Sequence, residues 1–151
     1  MATSRERPYA QFNFLVNLGG DSDPNQADGG FQEVSGLGTE IGVAEYRYGN
    51  SKENHVGKIT GLNKMSDVTL KRGAMGTLTL YNWLNAIRNG ENKVQSVTIQ
   101  LLTEDHNASP VLTWKLKNAR IIKYSTGPLN AKGNDIMMEE LTLSYERLDM
   151  E

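Results

Sequence analysis

A change of hydrophobic period between Val68 and Gly90 constrains this chain more than any other feature of its sequence. Apolar and polar residues alternate from Val68 to Lys71, which predicts a short strand with one buried face. After two glycines, apolar residues recur at intervals of three and four and form one stripe of a helix: Leu80, Trp83, Leu84 and Ile87. We therefore predict a strand followed by a helix over about residues 77–89.

The ends of this helix carry residues that favour helix termini. Thr77 or Thr79 can act as the N-cap, and Asn89–Gly90 is a suitable C-terminal stop. Arg88 in the last turn complements the negative end of the helix dipole. No other part of the sequence indicates a helix as strongly, so we expect one helix packed on a β body.

The remaining apolar segments alternate with polar residues and predict six to eight strands. They lie at residues 12–18, 31–38, 40–48, 97–101, 112–116, 119–122 and 135–148. Fifteen glycines, most of them between these segments, are typical of a turn-rich β fold. The predicted fold class is mainly β, a barrel or sandwich with one packed helix.

Size and composition exclude several classes of protein. The 151 residues predict a single domain over 1–151, with a flexible arm at residues 1–8. Sixteen basic and eighteen acidic residues give a net charge of −2, so no basic surface for nucleic acid is indicated. There is no cysteine for disulfides or thiolate metal sites. No apolar run approaches the ~20 residues of a membrane helix, and the polar start predicts synthesis as a soluble cytoplasmic protein.

No set of residues indicates catalysis, a metal or a cofactor. Asp21, Asp23 and Asn25 begin a series that resembles a calcium loop, but glutamines replace the glycine and the glutamate that such a loop needs. The two histidines, His55 and His106, lie in polar loops without a partner at metal-ligand spacing. The acidic residues are otherwise expected to be solvated, and we predict that the chain is not an enzyme.

The longest polar interruption, Gly49 to Met65, is predicted to be a long interaction loop. The segment before it carries apolar residues on both faces, with Tyr46 and Tyr48 on one of them. These tyrosines either border the core or contact a partner, and the pattern leaves both possibilities open. The segment 49–65 is too long for a simple hairpin turn and is therefore either disordered or used in binding.

Seven short motifs follow one another between residues 9 and 148. They are Phe31–Leu37 (FQEVSGL), Glu45–Arg47 (EYR), Gly61–Leu62, Val68–Gly73 (VTLKRG), Trp114–Ala119 (WKLKNA), Leu129–Asn134 and Glu140–Glu146 (ELTLSYE). This ordered series resembles the tail tube proteins of contractile phages and of phage-tail-like injection systems. Thr60 stands where that family has a proline before the glycine–leucine turn.

The resemblance implies a structural subunit of the inner tube of a contractile tail or injection particle. Its partners would be further copies of itself in stacked hexameric rings, a contractile sheath protein, baseplate and spike proteins, and DNA or protein cargo in the lumen. Sheath contraction would drive the tube through a target envelope. The protein would be made in the bacterial cytoplasm and end in a virion tail or an extracellular injection particle.

Two alternatives accompany this interpretation. One is a hexameric ring protein of a type VI secretion apparatus, and the other is a monomeric β-barrel module that binds a small ligand. For the leading interpretation, the residues expected at the subunit interface are Tyr46, Tyr48, Asn50, His55, Lys58, Leu62, Lys71, Arg72 and Asn130. The loop at 49–65 is then expected to become ordered only against a neighbouring subunit, chiefly in the next ring.

Overall fold

The computed structural model describes residues 2, 4–19, 30–105 and 109–151. These residues form nine strands and one helix. In chain order the elements are β1 (Phe14–Asn17), β2 (Glu33–Ser35), β3 (Thr39–Tyr46), β4 (Gly57–Met65), β5 (Val68–Gly73), α1 (Thr79–Arg88), β6 (Gln95–Leu102), β7 (Pro110–Thr126), β8 (Met138–Ser144) and β9 (Arg147–Met150). The predicted mainly β fold with one helix is confirmed. The strands exceed the predicted six to eight because β4 and β9 were not expected, although the strands predicted separately at 112–116 and 119–122 form the single strand β7.

Strand β7 connects the strands of the body. Its first half pairs with β6 and β9, and its second half pairs with β8, which continues through β5 to β2. Every pair is antiparallel, in the order β1-β6-β7-β8-β5-β2. Between the two halves of β7, Asn118 has φ of 53°, a left-handed conformation that asparagine tolerates better than most residues. The change of partners near this residue gives the body its sandwich-like form.

Helix α1 packs on β7 through the stripe that the sequence predicts. Leu80 and Trp83 are buried, while Leu84 and Ile87 are partly buried against the core. The indole Nε1 of Trp83 donates a hydrogen bond to the Lys93 carbonyl at 2.9 Å, so its polar atom is satisfied. The predicted core face of the helix is therefore confirmed.

The start of the helix differs from the prediction. The helix begins at Thr79, and its N-cap is Leu78, which makes no side-chain capping hydrogen bond. The prediction of a threonine N-cap is wrong, because the Thr77 hydroxyl instead accepts a hydrogen bond from Arg72 at 3.1 Å. At the other end, the Asn89–Gly90 pair ends the helix as predicted, with the glycine at φ of 94°.

The largest departure from the sequence prediction is at residues 49–65. Gly57–Met65 form strand β4, which pairs with β3 as a separate two-stranded antiparallel sheet. Only residues 47–56 connect the two strands, so the prediction of a continuous loop over 49–65 is wrong. Eight of the nine residues of β4 are exposed, and only Met65 at its end packs on the core. Burial therefore does not impose the apolar alternation that usually reveals a strand.

The C-terminal segment 135–148, predicted as one strand, forms two. Strand β8 pairs with β5 and β7, whereas β9 pairs with the first half of β7. Tyr145 lies between them with a buried ring, and its hydroxyl donates a hydrogen bond to the Gly38 carbonyl at 3.1 Å. Burial raises the pKa of this hydroxyl. Because Tyr145 continues the apolar alternation of β8, the sequence pattern does not show where the strand ends.

One ion pair ties the N-terminal residues to the body. Arg5 donates from Nη1 and Nη2 to the Glu104 carboxylate at 2.9 and 2.5 Å, and the Ala10 N–H donates to the same carboxylate at 2.8 Å. The hydrogen bond from Arg5, followed by that from Ala10, lowers the pKa of Glu104 to about 2. The flexibility of residues 1–8 and the single domain over 1–151 stay predictions.

Candidate assembly interface

Strands β3 and β4 and their turn, residues 39–65, form a hairpin that leaves the body of the chain. Within the described residues, the two strands pair only with each other. Every hairpin residue is exposed except Gly42, Ser51 and Met65, which are half-buried. At about 3.3 Å per residue, the eight residues of β3 span about 26 Å. The hairpin therefore presents both of its faces to the surroundings.

Large apolar side chains lie on both faces of the hairpin. The register of β3 on β4 places Ile41 and Val43 on one face, and Ala44, Tyr46 and Ile59 on the other. The four large side chains are 54–57% exposed. Single exposed apolar residues are ordinary, but a group of this size on one small element indicates a contact surface.

Two tyrosines at the end of the hairpin belong to this surface. The rings of Tyr46 and Tyr48 meet edge to face, with centroids 4.9 Å apart, and both are exposed. The alternative that they border the core is therefore wrong. With His55 and Lys58 they line a recess of about 320 Å³ near the tip.

Hydrogen bonds within the chain order the turn at the tip of the hairpin. The Arg47 guanidinium donates to the carbonyls of Ser51 and Glu53 at 3.1–3.2 Å, and the Ser51 N–H donates to the Tyr48 carbonyl at 3.0 Å. His55 Nδ1 lies 3.0 Å from Glu53 Oε2. These contacts all lie within one chain, and the expectation that the segment becomes ordered only against a neighbouring subunit stays a prediction.

A second surface lies beside the connection between β7 and β8. Residues 127–137 border a cleft of about 830 Å³, whose lining includes Asn130, Asp135 and Ile136. The connection has a defined turn, since Asn130 Oδ1 accepts a hydrogen bond from the Lys132 N–H at 3.0 Å. The cleft is thus formed by ordered backbone.

The hairpin and the cleft lie at opposite ends of β5. The hairpin joins β5 at Val68 through Ser66, whose N–H donates to the Gly38 carbonyl at 3.2 Å. The cleft borders the far end of the strand, where Gly73 lies opposite Met138 of β8. One subunit therefore carries two separate candidate contact surfaces, one at each end of the same strand.

The nine predicted interface residues divide between these two surfaces and the body. Six lie on the hairpin, and all six are exposed: Tyr46, Tyr48, Asn50, His55, Lys58 and Leu62. Asn130 lines the cleft. Lys71 is half-buried on β5, with its Nζ 4.0 Å from a Glu33 carboxylate oxygen. Arg72 is only 1% exposed, so its predicted contact with a neighbouring subunit is wrong. The other eight assignments stay predictions.

Arg72 instead forms a buried ion pair that the sequence analysis missed. Its Nε donates to Glu139 Oε2 at 2.9 Å, and the other carboxylate oxygen accepts a hydrogen bond from the Tyr124 hydroxyl at 2.9 Å. The guanidinium also lies 5.5 Å from the centre of the Phe31 ring. Burial and the hydrogen bond to Glu139 raise the pKa of Tyr124. The group links β5, β7 and β8 beneath the end of the sheet that borders the cleft.

The part of the chain that the structure describes holds no group of three or more His, Asp or Glu side chains placed to bind a metal ion. Four residues considered in the sequence lie outside that part: Asp21, Asp23, Asn25 and His106. None of the described helices has the length and apolar character needed to span a membrane.

Comparison with known proteins gives these surfaces a context. The model of the family described as T4-like virus tail tube protein gp19 matches residues 10–149. The chain is similar to a chain in the PVC sheath-tube complex of an extracellular contractile injection system in its extended state. The TM-score is 0.82 at 27% identity, covering 97% of this chain and 93% of that one. No curated protein matches the sequence significantly.

Two further structures extend the comparison. A chain from the PVC sheath/tube terminator in the extended state has a TM-score of 0.82 at 28% identity, covering 98% of this chain and 99% of that one. A structure described as a type six secretion system protein has a TM-score of 0.56 at 16% identity, covering 92% of this chain and 82% of that one. The last likeness is one of fold alone.

Proposed function

Because this chain belongs to the family of T4-like virus tail tube proteins, we propose that its copies form hexameric rings that stack into a hollow tube inside a contractile sheath. Its function is that of a tail tube protein, which is the role of the family. The chain is also similar to a chain in the sheath-tube complex of a contractile injection system. The observation that carries the proposal for stacking is the hairpin of residues 39–65. Its exposed apolar faces have no partner in the body of the described chain.

Lateral contacts within a ring are supported by the edges of the sheet. Within the described residues, β1 and β2 end the strand order, and each pairs with one strand only. A cleft of about 530 Å³ beside them is lined by side chains that include Phe12, Phe14 and Val34, and Phe12 is 64% exposed. Exposed strand edges pair readily with another chain, and a closed ring removes them. We assign ring closure to this side of the subunit.

Contacts between rings are assigned to the hairpin. Stacking identical rings in one direction requires two different surfaces, because the contact is heterologous and open-ended. Burial of one side chain such as Ile41 or Leu62 contributes ~1.5–3 kcal/mol. Six hairpins acting at each ring junction would multiply that gain without any hairpin being needed for the core.

The same proposal includes the further partners and the place of assembly. A contractile sheath would surround the tube, a baseplate and spike would nucleate it, and contraction would drive it through a target envelope. The subunit would be made in the bacterial cytoplasm and end in a virion tail or an extracellular particle. The cargo is either DNA or protein. The two cases can be distinguished with purified, loaded particles. After the tube is opened, DNA cargo should be digested by nuclease and protein cargo by protease.

Removal of the hairpin tests the assignment of stacking. Gly38 and Ser66 are joined by a hydrogen bond, so a short Gly-Ser linker can replace residues 39–65 without stretching the chain. The thermal unfolding of the variant should stay close to that of the original chain, because Met65 is the one hairpin residue that packs on the core and it is only half-buried. Electron microscopy should show single rings and no tubes.

A matched control keeps the hairpin and changes an exposed apolar residue of the body. Ile122→Ser suits this purpose, because Ile122 is 49% exposed on β7. That variant should form tubes of ordinary length. Tubes of ordinary length from the hairpin deletion would overturn the assignment of stacking, and loss of rings as well as tubes would assign the hairpin to ring closure instead.

Neither alternative has an observation that favours it. The fold is shared with a type six secretion system protein, but at 16% identity that likeness does not carry function. The family model supports the tube protein. Light scattering at high concentration, with and without a nucleating baseplate, tests the small-ligand module, which a monomeric chain would favour.

A further inference from the structure

The two ends of β5 differ in shape but share an exposed apolar character. At one end, the hairpin projects with the Tyr46–Tyr48 pair close to its tip. At the other end, the cleft beside residues 127–137 is lined by Ile136, whose side chain is 78% exposed. Leu129 is 83% exposed and follows Pro128, another residue that lines the cleft. One surface protrudes and the other is concave. Each leaves apolar side chains without cover in a single chain.

We propose that the cleft of one subunit receives the hairpin tip of a copy in the next ring. This inference rests on the proposed stacking and names the surface that the hairpin contacts. A copy displaced along the direction of β5 brings its hairpin end towards the cleft end of the first copy. The contact then repeats from ring to ring with the same polarity, which is what an open-ended heterologous assembly requires.

The charges of the two surfaces favour the hairpin tip as the group that enters the cleft. Residues 47–58 at the hairpin tip carry three basic side chains, Arg47, Lys52 and Lys58, against one carboxylate. Asp135 is the only charged residue that lines the cleft among the described residues. A positive tip entering a cleft with a negative side chain gains electrostatic complementarity, which fixes the orientation of a contact more than its strength.

The volume of the cleft is also suitable. At about 830 Å³ it lies within the ~300–1,000 Å³ of pockets that enclose a compact group of side chains. Its turn is held by Asn130, whose Oδ1 and backbone carbonyl accept hydrogen bonds from the N–H groups of Lys132 and Gly133 at 3.0 and 3.1 Å. A receiving surface that is already ordered loses little conformational entropy when it is occupied.

Disulfide cross-linking tests the contact directly, because the chain contains no cysteine of its own. The test variant is Tyr48→Cys/Leu129→Cys, assembled into tubes and then oxidised. These positions lie on the hairpin and beside the cleft, beyond opposite ends of β5, so a bond between them is expected to join two copies whose Cα atoms approach within about 7 Å. The expected product on a non-reducing gel is a ladder in steps of 16.8 kDa that extends beyond six subunits and collapses on reduction.

Three controls make the ladder specific. Each single cysteine variant should stay at the mass of one chain, and dimers from Leu129→Cys alone would mean that two clefts meet. The matched pair Tyr48→Cys/Lys123→Cys places the second cysteine at an exposed position midway along the β7–β8 pairing, away from the cleft, and should give no ladder. A ladder from that pair equal to the one from the test pair would overturn the inference.

Tubes of the test variant that give no ladder after complete oxidation would likewise overturn it, and so would tubes of ordinary length from Leu129→Ser/Ile136→Ser. Both side chains are largely exposed, so this second variant should fold normally. If the cleft receives the hairpin, Leu129→Ser/Ile136→Ser should retain rings and lose tubes. The outcomes separate the two proposals: the hairpin deletion reports on the hairpin alone, and these variants report on the cleft.

Discussion

Replacement of Arg72 by methionine should lower the free energy of unfolding of the unassembled subunit by about 3–5 kcal/mol. The side chains of Arg72 and Glu139 are 1% and 6% exposed, and their charged atoms lie 2.9 Å apart. Without the guanidinium, the Glu139 carboxylate would stay buried with the Tyr124 hydroxyl as its remaining donor among the bonds described. Since whole domains are stable by only about 5–15 kcal/mol, this loss is large.

The double replacement Arg72→Met/Glu139→Leu distinguishes a lost charge pair from lost packing. It removes both charges and keeps apolar volume on both strands, so it should cost less than Arg72→Met alone. Denaturant unfolding followed by tryptophan fluorescence measures all the variants on one scale. The difference between the double variant and the sum of the singles gives the coupling energy of the pair.

The matched control is Lys115→Met, which breaks an ion pair of the same length at the surface. Lys115 Nζ lies 2.9 Å from Glu151 Oε1, but the two side chains are 44% and 49% exposed. Solvent screens such a pair, so the control should show no measurable change. If Arg72→Met behaved like this control, or if the coupling energy were zero, the buried pair would not stabilise the subunit.

Two further predictions concern the helix and the N-terminal residues. Trp83→Ala should lower the free energy of unfolding by about 3–5 kcal/mol, because it leaves a cavity between α1 and the core. Tyr81→Ala, on the exposed side of the same helix, should change the melting temperature little. Glu104 should titrate in an NMR experiment with a pKa of about 2, below its ordinary 4.5 because of the Arg5 hydrogen bond. Its contribution should therefore be fully present above pH 4.5 and lost as the pH falls through 2, and Arg5→Ala should return the pKa towards 4.5.

The parts of the fold that follow from local periodicity were predictable. The helix stripe and the alternation at residues 97–101 and 112–116 each reflect one buried face, and a buried face leaves its period in the sequence. Strand β3 of the hairpin was also predicted from its alternation, at residues 40–48, but β4 was not predictable in this way. Apart from Met65 at its end, β4 is exposed on both faces, and its strand structure depends on pairing with β3, as at the close approach of Gly61 to Gly42. A side chain at Gly61 would lie 3.0 Å from the Gly42 carbonyl oxygen.

Arg72 and Glu139 were missed although the sequence contained a signal. Arg72 continues the alternation of Val68 and Leu70, and Glu139 continues that of Leu141, so both occupy core-facing positions of their strands. A charge in such a position is expected to be paired when it is buried. The partner could not be identified from one sequence, because the two residues are 67 positions apart and meet only through the β5–β8 register.

The buried pair and the cleft are linked by that same register. Arg72 lies opposite Glu139, and the next pair along the two strands is Gly73 opposite Met138, both of which line the cleft. The ion pair therefore fixes the backbone on which the receiving surface is built. The hairpin of residues 39–65 has no such support, and an isolated two-stranded hairpin is marginally stable in water. It follows that disruption of the ion pair should impair stacking together with stability, whereas changes in the hairpin should impair stacking alone.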